Sequence, residues 1–160
     1  MDNMHDENEI HEPLVRWITF QLGEEVYGVD VKQVREILRI NNILPVPGTP
    51  DYILGITNIR GNVVTVLDGR TRINLQMIDT TDASRMIVLE SGDDVVAVVV
   101  DNVSDVLDLP ESSIDSNVKL KVNRGSKYIS GVVTYTGGLI IILSAERFIT
   151  EDQYDLAAGF

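Results

Sequence analysis

Residues 52–67 read YILGITNIRGNVVTVL, and residues 128–143 read YISGVVTYTGGLIIIL. Tyr52, Ile53, Gly55, Gly61 and Leu67 recur as Tyr128, Ile129, Gly131, Gly137 and Leu143, and the match extends to Ile73 and Ile149, always 76 positions on. Upstream, Ile18, Gly23, Glu24, Glu25 and Val26 recur as Ile87, Gly92, Asp93, Asp94 and Val95, 69 positions on. Steady offsets of this kind mark an internal repeat. The difference between the two offsets places extra residues in the second connection, between about Leu109 and Lys127. Each copy strings short β-branched runs between turn residues, the pattern of an all-β barrel or sandwich. A half of about 60 residues buries too little apolar surface to stand alone. The expected fold is therefore all-β: two similar small barrels sharing a hydrophobic core, with short helices.

Within this frame Leu14–Leu22 reads as a strand buried on both sides, since Ile18, Phe20 and Leu22 alternate with Val15, Trp17 and Thr19. Gly23-Glu24-Glu25 turns into Val26–Val29. Asp30 can cap a helix, because Val31, Val34, Ile37 and Leu38 recur at helical spacing. Asp101 likewise closes a strand ahead of a short apolar pattern of helical spacing. Pro45, Pro47, Gly48 and Pro50 keep the next segment irregular. A tight turn is expected at Gly61-Asn62 in the first copy and at Gly137-Gly138 in the second, residues that tolerate positive φ. A further short helix is expected from Thr150, with Gln153 in capping-box position.

Composition removes most chemistries. The 160 residues carry a net charge of −12 with a pI near 4.4, and a phosphate backbone or anionic lipid surface would need a cationic face. No nucleic-acid partner and no membrane insertion are expected; the longest apolar run, Val95 to Val100, stops at Asp101. Residues 1–13 hold five carboxylates and no Lys or Arg, the composition of a disordered acidic tail. Residues 14–150 form the expected folded unit, and 151–160 a short helix or tail. Both histidines lie in the tail and cysteine is absent, so nucleophilic Cys–His and Ser–His systems lack their parts. "NRGSKY" orders Gly, Ser and Lys wrongly for a phosphate loop. Asp93-Asp94 and Glu111 to Asp115 sit in turns and connections, so a carboxylate-based hydrolase has little support. No catalytic residue, metal or cofactor is expected, and a cytoplasmic protein follows from the lack of an export signal.

Arg60 needs a separate account. Thr136 stands at its place in the second copy, so the hairpin itself does not demand arginine. Arg60 is either a surface charge paired with Asp68 or Glu36, or a recognition residue.

The stretches YGVDVKQVREI, TPDYILGITNIRGNVVTVLD, VVVDNVSDVL and YISGVV, in this order and spacing, resemble the CheW-type chemotaxis coupling proteins over about Leu14 to Ile149. The resemblance implies two intertwined SH3-like five-stranded β-barrels around a common core and no enzymatic activity. It implies a scaffold that holds chemoreceptor cytoplasmic tips to the CheA histidine kinase, monomeric in isolation and alternating with the kinase's regulatory domain in rings at membrane receptor arrays. It places Val34, Glu36, Asn58 and Arg60 on the groove for the receptor's helical hairpin, with Val99 and Val103 as the opposite wall. It places Ile43, Leu44, Pro45, Val46 and Gly55 on one kinase-facing surface and Leu120 near a second ring contact. Gly69 departs from the family pattern, which has an apolar residue before the arginine, and Asn102 stands where glycine is usual. A CheW-like coupling or kinase-regulatory domain of another two-component pathway would read similarly.

Overall fold

The computed structural model describes residues 12–116, 126–136 and 138–150. Ten strands run in chain order through them: β1 (Leu14–Leu22), β2 (Glu25–Asp30), β3 (Val34–Arg39), β4 (Ile53–Ile59), β5 (Asn62–Asp68), β6 (Arg85–Ser91), β7 (Asp94–Val100), β8 (Asn102–Pro110), β9 (Ile129–Tyr135) and β10 (Gly138–Leu143). Two short helices, α1 (Gly69–Arg72) and α2 (Ala145–Thr150), follow β5 and β10. The chain is all-β, in two five-stranded sheets of order β3-β6-β7-β5-β4 and β8-β1-β2-β10-β9.

These orders show how the repeat is assembled. The hairpin β1–β2 corresponds to β6–β7, and β3, β4 and β5 correspond to β8, β9 and β10. Each sheet takes its hairpin from one half and its other three strands from the other half. The exchange keeps equivalent registers: Ile37 faces Ile87 in the first sheet as Val106 faces Ile18 in the second. In each unit the chain beyond the third strand returns to the fourth strand through one isolated bridge, Leu44 to Ile56 and Asp115 to Val132, 76 positions apart at β4 and β9. That bridge draws the two edges of each sheet together into a barrel.

Three apolar clusters result. Ile59, Val64, Val66, Met86, Val88, Ala97 and Val99 fill the first barrel, and Trp17, Leu109, Val133, Ile140 and Ile142 fill the second. Between them lies the largest cluster, which takes Ile18 and Phe20 from β1, Ile87 and Leu89 from β6, and Val96, Val98 and Val100 from β7. The exchanged hairpins are thus buried on both faces over most of their length, but the expectation for Leu14–Leu22 holds only from Trp17 onward, since Leu14 and Arg16 are exposed. Arg72 of α1 is buried, its guanidinium 4.2 Å from the ring centre of Tyr52, 4.8 Å from that of Tyr128 and 5.7 Å from that of Phe148. Its Nη2 donates to the Phe148 carbonyl at 3.1 Å, tying α1 to α2.

Three local expectations are corrected. Asp30 does cap a turn, accepting from the Lys32 N–H at 2.9 Å, but that 3-10 turn covers only Val31–Gln33. Val34–Arg39 then forms a strand against β6, with Val34, Glu36 and Leu38 turned inward and Arg35, Ile37 and Arg39 outward. Six residues satisfy either period, and the open edge of β6 with β-branched Val34 and Ile37 favours the extended form. The residues after Asp101 are strand β8 for the same reason. The first hairpin loop is Arg60-Gly61, with Asn62 already paired to Ile59; the second begins at Thr136, paired strands resuming at Gly138. A helix not expected from the sequence spans Ala145–Thr150, and its Arg147 N–H bonds to the Ser144 hydroxyl. The acidic tail up to His11, the segment 151–160 with Gln153, Leu120 and Gly137 lie outside the described residues. Glu12 accepts a hydrogen bond from the Ser112 N–H at 3.1 Å.

Candidate functional site

The hairpin loop Arg60-Gly61 carries φ of 53° and 86°, the left-handed pair of a type I′ turn. Asn58 supports it from β4, its Oδ1 accepting from the Gly61 N–H at 3.0 Å. From this tip the Arg60 side chain reaches across to β3, where its Nη2 lies 2.9 Å and its Nε 3.1 Å from the two carboxylate oxygens of Glu36. The hydrogen bonds from Arg60 hold the Glu36 carboxyl below the ordinary carboxylate range, and the same contact pushes the guanidinium up. Glu36 is mostly covered whereas Arg60 keeps 76% of its side chain exposed. Of the two acids within reach by sequence, Glu36 takes the arginine; Asp68 instead caps α1 through the Thr71 N–H.

Glu36, Asn58 and Arg60 therefore form one constellation at the seam between β3 and the β4–β5 hairpin. Val34, separated from Glu36 by a bulge in β3, is partly buried against the shared core, and Val103 occupies the equivalent place on β8. Val99 is 6% exposed and points into the first barrel, so only Val34 and Val103 of the apolar candidates keep surface.

The second group is a returning segment beside β4. Leu44 exchanges backbone hydrogen bonds with Ile56, at 2.8 and 2.9 Å, and the Thr57 hydroxyl donates to the Asn42 carbonyl at 2.6 Å. Ile43 covers the first barrel's interior while Leu44 turns outward, 65% exposed, with Pro45 exposed beside it and Val46 half-buried. Gly55 permits this approach: at φ 148° a Cβ there would stand 2.1 Å from the Leu44 carbonyl oxygen. Gly131 does the same for the other bridge, where a Cβ would meet the Asp115 oxygen at 2.9 Å.

Sequence reasoning missed the clamp between the barrels. Arg70 of α1 donates through Nε and Nη2 to the two oxygens of Asp101, both at 2.8 Å, and Asp101 also accepts from the Gly23 N–H at 2.9 Å. Burial pushes the Asp101 carboxyl up, but the Arg70 fork and the Gly23 N–H outweigh it and hold the group below its usual range. The only local signal is one acid closing the run VVAVVV, with its partner 31 residues upstream. At Gly69, the departure noted above, a Cβ would stand 2.6 Å from the Val99 carbonyl oxygen, so neighbouring strands have closed over the missing side chain. Asn102 spends its amide on Gln21. Among the described residues no helix is long and apolar enough to cross a membrane.

Comparison with known proteins identifies the family and the fold. The model of the CheW-like domain matches residues 16–153. The chemotaxis protein CheW of Klebsiella aerogenes is 32% identical over 140 residues, covering 88% of this chain and 84% of that one. That of Bacillus subtilis is 37% identical over 138 residues, covering 86% and 88%. The crystal structure of the scaffolding protein TtCheW from Thermoanaerobacter tengcongensis superimposes with a TM-score of 0.76 at 28% identity, covering 82% of this chain and 89% of that one.

Proposed function

The chain belongs to the CheW-like family, and on that premise we propose that it couples chemoreceptor cytoplasmic tips to a CheA-type histidine kinase. It is a chemotaxis adaptor and not an enzyme. The observation that carries the finer reading is the Glu36–Arg60 pair: one member is held firmly on a strand, the other stands on a hairpin tip with most of its side chain in solvent. Such a pair can exchange partners. When an amphipathic receptor hairpin settles beside Val34 and Val103, Arg60 takes a carboxylate or carbonyl of the incoming helix, and the fixed charges set its register. Val99 contributes from beneath, by holding β7 in place.

The kinase faces the other group. Leu44, presented outward on a backbone pinned to β4 and stiffened by Pro45, offers an apolar anchor beside Val46, while Ile43 and Gly55 hold the presenting segment. Leu120 belongs to a second contact, through which copies alternate with the kinase's regulatory domain in rings beneath the membrane. The folded unit spans 14–150, with 1–13 and 151–160 as tails outside these contacts.

Co-sedimentation of the purified chain with a receptor signalling fragment and the kinase regulatory domain tests the reading. Arg60→Glu is expected to lose the receptor and keep the kinase domain, and Leu44→Asp the reverse. Leu120→Asp is expected to keep both binary contacts but to impair ring closure, where avidity multiplies a weak contact. Folded variants that all co-sediment and assemble as the parent does would remove the two-surface mechanism.

A further inference from the structure

The two barrels differ at their equivalent seams. In the first, Arg60 spans from the hairpin tip to Glu36 on β3. In the second, the repeat puts Thr136 at the tip and Asp105 on β8, and threonine is too short to make the span. Among the described residues the seam is a cleft of about 280 Å³, lined by Thr19, Val26, Asp105, Leu107, Tyr135 and Leu139 among others. The repeat gives its apolar and aromatic lining counterparts in the first barrel: Leu107 for Leu38, Val26 for Val95, Tyr135 for Ile59 and Leu139 for Val63. The Asp105 backbone is fixed, its N–H donating to the Thr19 hydroxyl and its carbonyl accepting from it, both at 2.9 Å. Its carboxylate is exposed and makes no hydrogen bond or ion pair among the described residues. Tyr135 and Leu139 are 39% and 55% exposed beside it.

We propose that this cleft in the second barrel takes an arginine side chain from a partner protein, supplying in trans the bridge that Arg60 makes in cis in the first barrel. The chemistry selects that occupant. A guanidinium matches a carboxylate as a planar fork. The stem of the arginine and one apolar neighbour cover Leu107, Tyr135 and Leu139. The strongly acidic chain draws a cationic segment toward it. Thr136 holds its own tip at φ 45°, a conformation disfavoured for a β-branched residue, and lines the cleft with a short side chain.

The probe is the blocked peptide acetyl-Leu-Arg-Leu-amide, titrated into the full chain labelled with nitrogen-15 while backbone amide shifts are followed. Saturable shifts at millimolar peptide are expected, confined to Thr19, Asp105, Leu107, Tyr135 and Leu139. Asp105→Asn removes only the charge and is expected to weaken the peptide about tenfold. Thr136→Arg places a bridge in cis and is expected to abolish the shifts; should that variant not fold, Asp105→Asn decides alone. The absence of saturable shifts, shifts that lie elsewhere, undiminished binding to Asp105→Asn or to folded Thr136→Arg, or equal binding of acetyl-Leu-Glu-Leu-amide would each overturn the assignment.

Discussion

Arg60 occupies a backbone conformation that asparagine and glycine adopt more readily, next to a glycine with which asparagine would make the favoured two-residue loop. A fold under selection for stability alone has no use for arginine there, and its ion pair is too exposed to compensate. Arg60→Asn is therefore expected to leave the thermal midpoint unchanged or to raise it by about 2 °C, while weakening receptor binding about tenfold. Calorimetric unfolding beside a receptor-fragment titration checks both halves; a variant that binds normally ends the recognition reading. Asp101 is the opposite case, a residue whose charge belongs to the fold. Its carboxyl titrates below the usual range in the folded chain, so the stabilisation is complete above the unfolded value of about 3.9 and is lost as pH falls through the lower folded value. Asp101→Asn is expected to cost about 2 kcal/mol at neutral pH, because Arg70 and the Gly23 N–H lose a charged acceptor, and to flatten the fall of stability below about pH 4. Urea titrations at several pH values measure this, and a parallel acid limb in parent and variant would show that Asp101 is not the group responsible.

Among the elements, the two returning segments separate structure from recognition. Gly55 and Leu44 stand in the same expected kinase surface, yet the first is there for its missing Cβ and the second for an exposed side chain. Gly55→Ala is expected to destabilise by about 3 kcal/mol or more, since the bridge at Ile56 must open. Leu44→Asp is expected to change stability by less than about 1 kcal/mol and to lose the kinase domain. Chemical denaturation ranks the pair, and a Leu44→Asp chain as unstable as Gly55→Ala would make Leu44 a packing residue. The hairpins and the repeat were legible because Tyr, Gly and β-branched runs punctuate both copies at one spacing. Strand β3 was not, since Val34, Ile37 and Leu38 fit a helix as well as the alternating pattern, and only the edge of β6, some 50 residues away, decides between them. The Glu36–Arg60 pair was one of two readable alternatives. The Arg70–Asp101 clamp was invisible, because no local pattern couples α1 to the end of β7.

On the scale of the whole molecule, the exchange of hairpins was illegible for a physical reason: β1–β2 and β6–β7 are alike, so sequence similarity does not tell which of them β3 or β8 will pair with. Chain geometry does. Asp101 alone separates β7 from β8, and the two steps from Val100 to Asn102 reach about 7 Å at most. To close its own half, β8 would have to pass beyond β7 and pair with β6, two strand spacings or about 9.5 Å away. It cannot, so β8 leaves the sheet and joins β1, whose Gln21 carbonyl already receives the Asp101 N–H at 3.0 Å. The connection from β2 to β3 is longer, through Val31–Gln33, and the second half therefore dictates the swap. Cutting the chain in the exposed stretch before Ser84, between Asp79 and Thr80, tests this. The fragment from Thr80 onward is expected to show no cooperative unfolding as a monomer, because β8 and β10 lack the hairpin that lies between them in the intact sheet. Mixing it with the fragment ending at Asp79 is expected to restore a single cooperative transition and the near-ultraviolet signal of buried Trp17, which stands on the exchanged hairpin. A monomeric C-terminal fragment that melts cooperatively alone would show that the one-residue connection does not enforce the exchange.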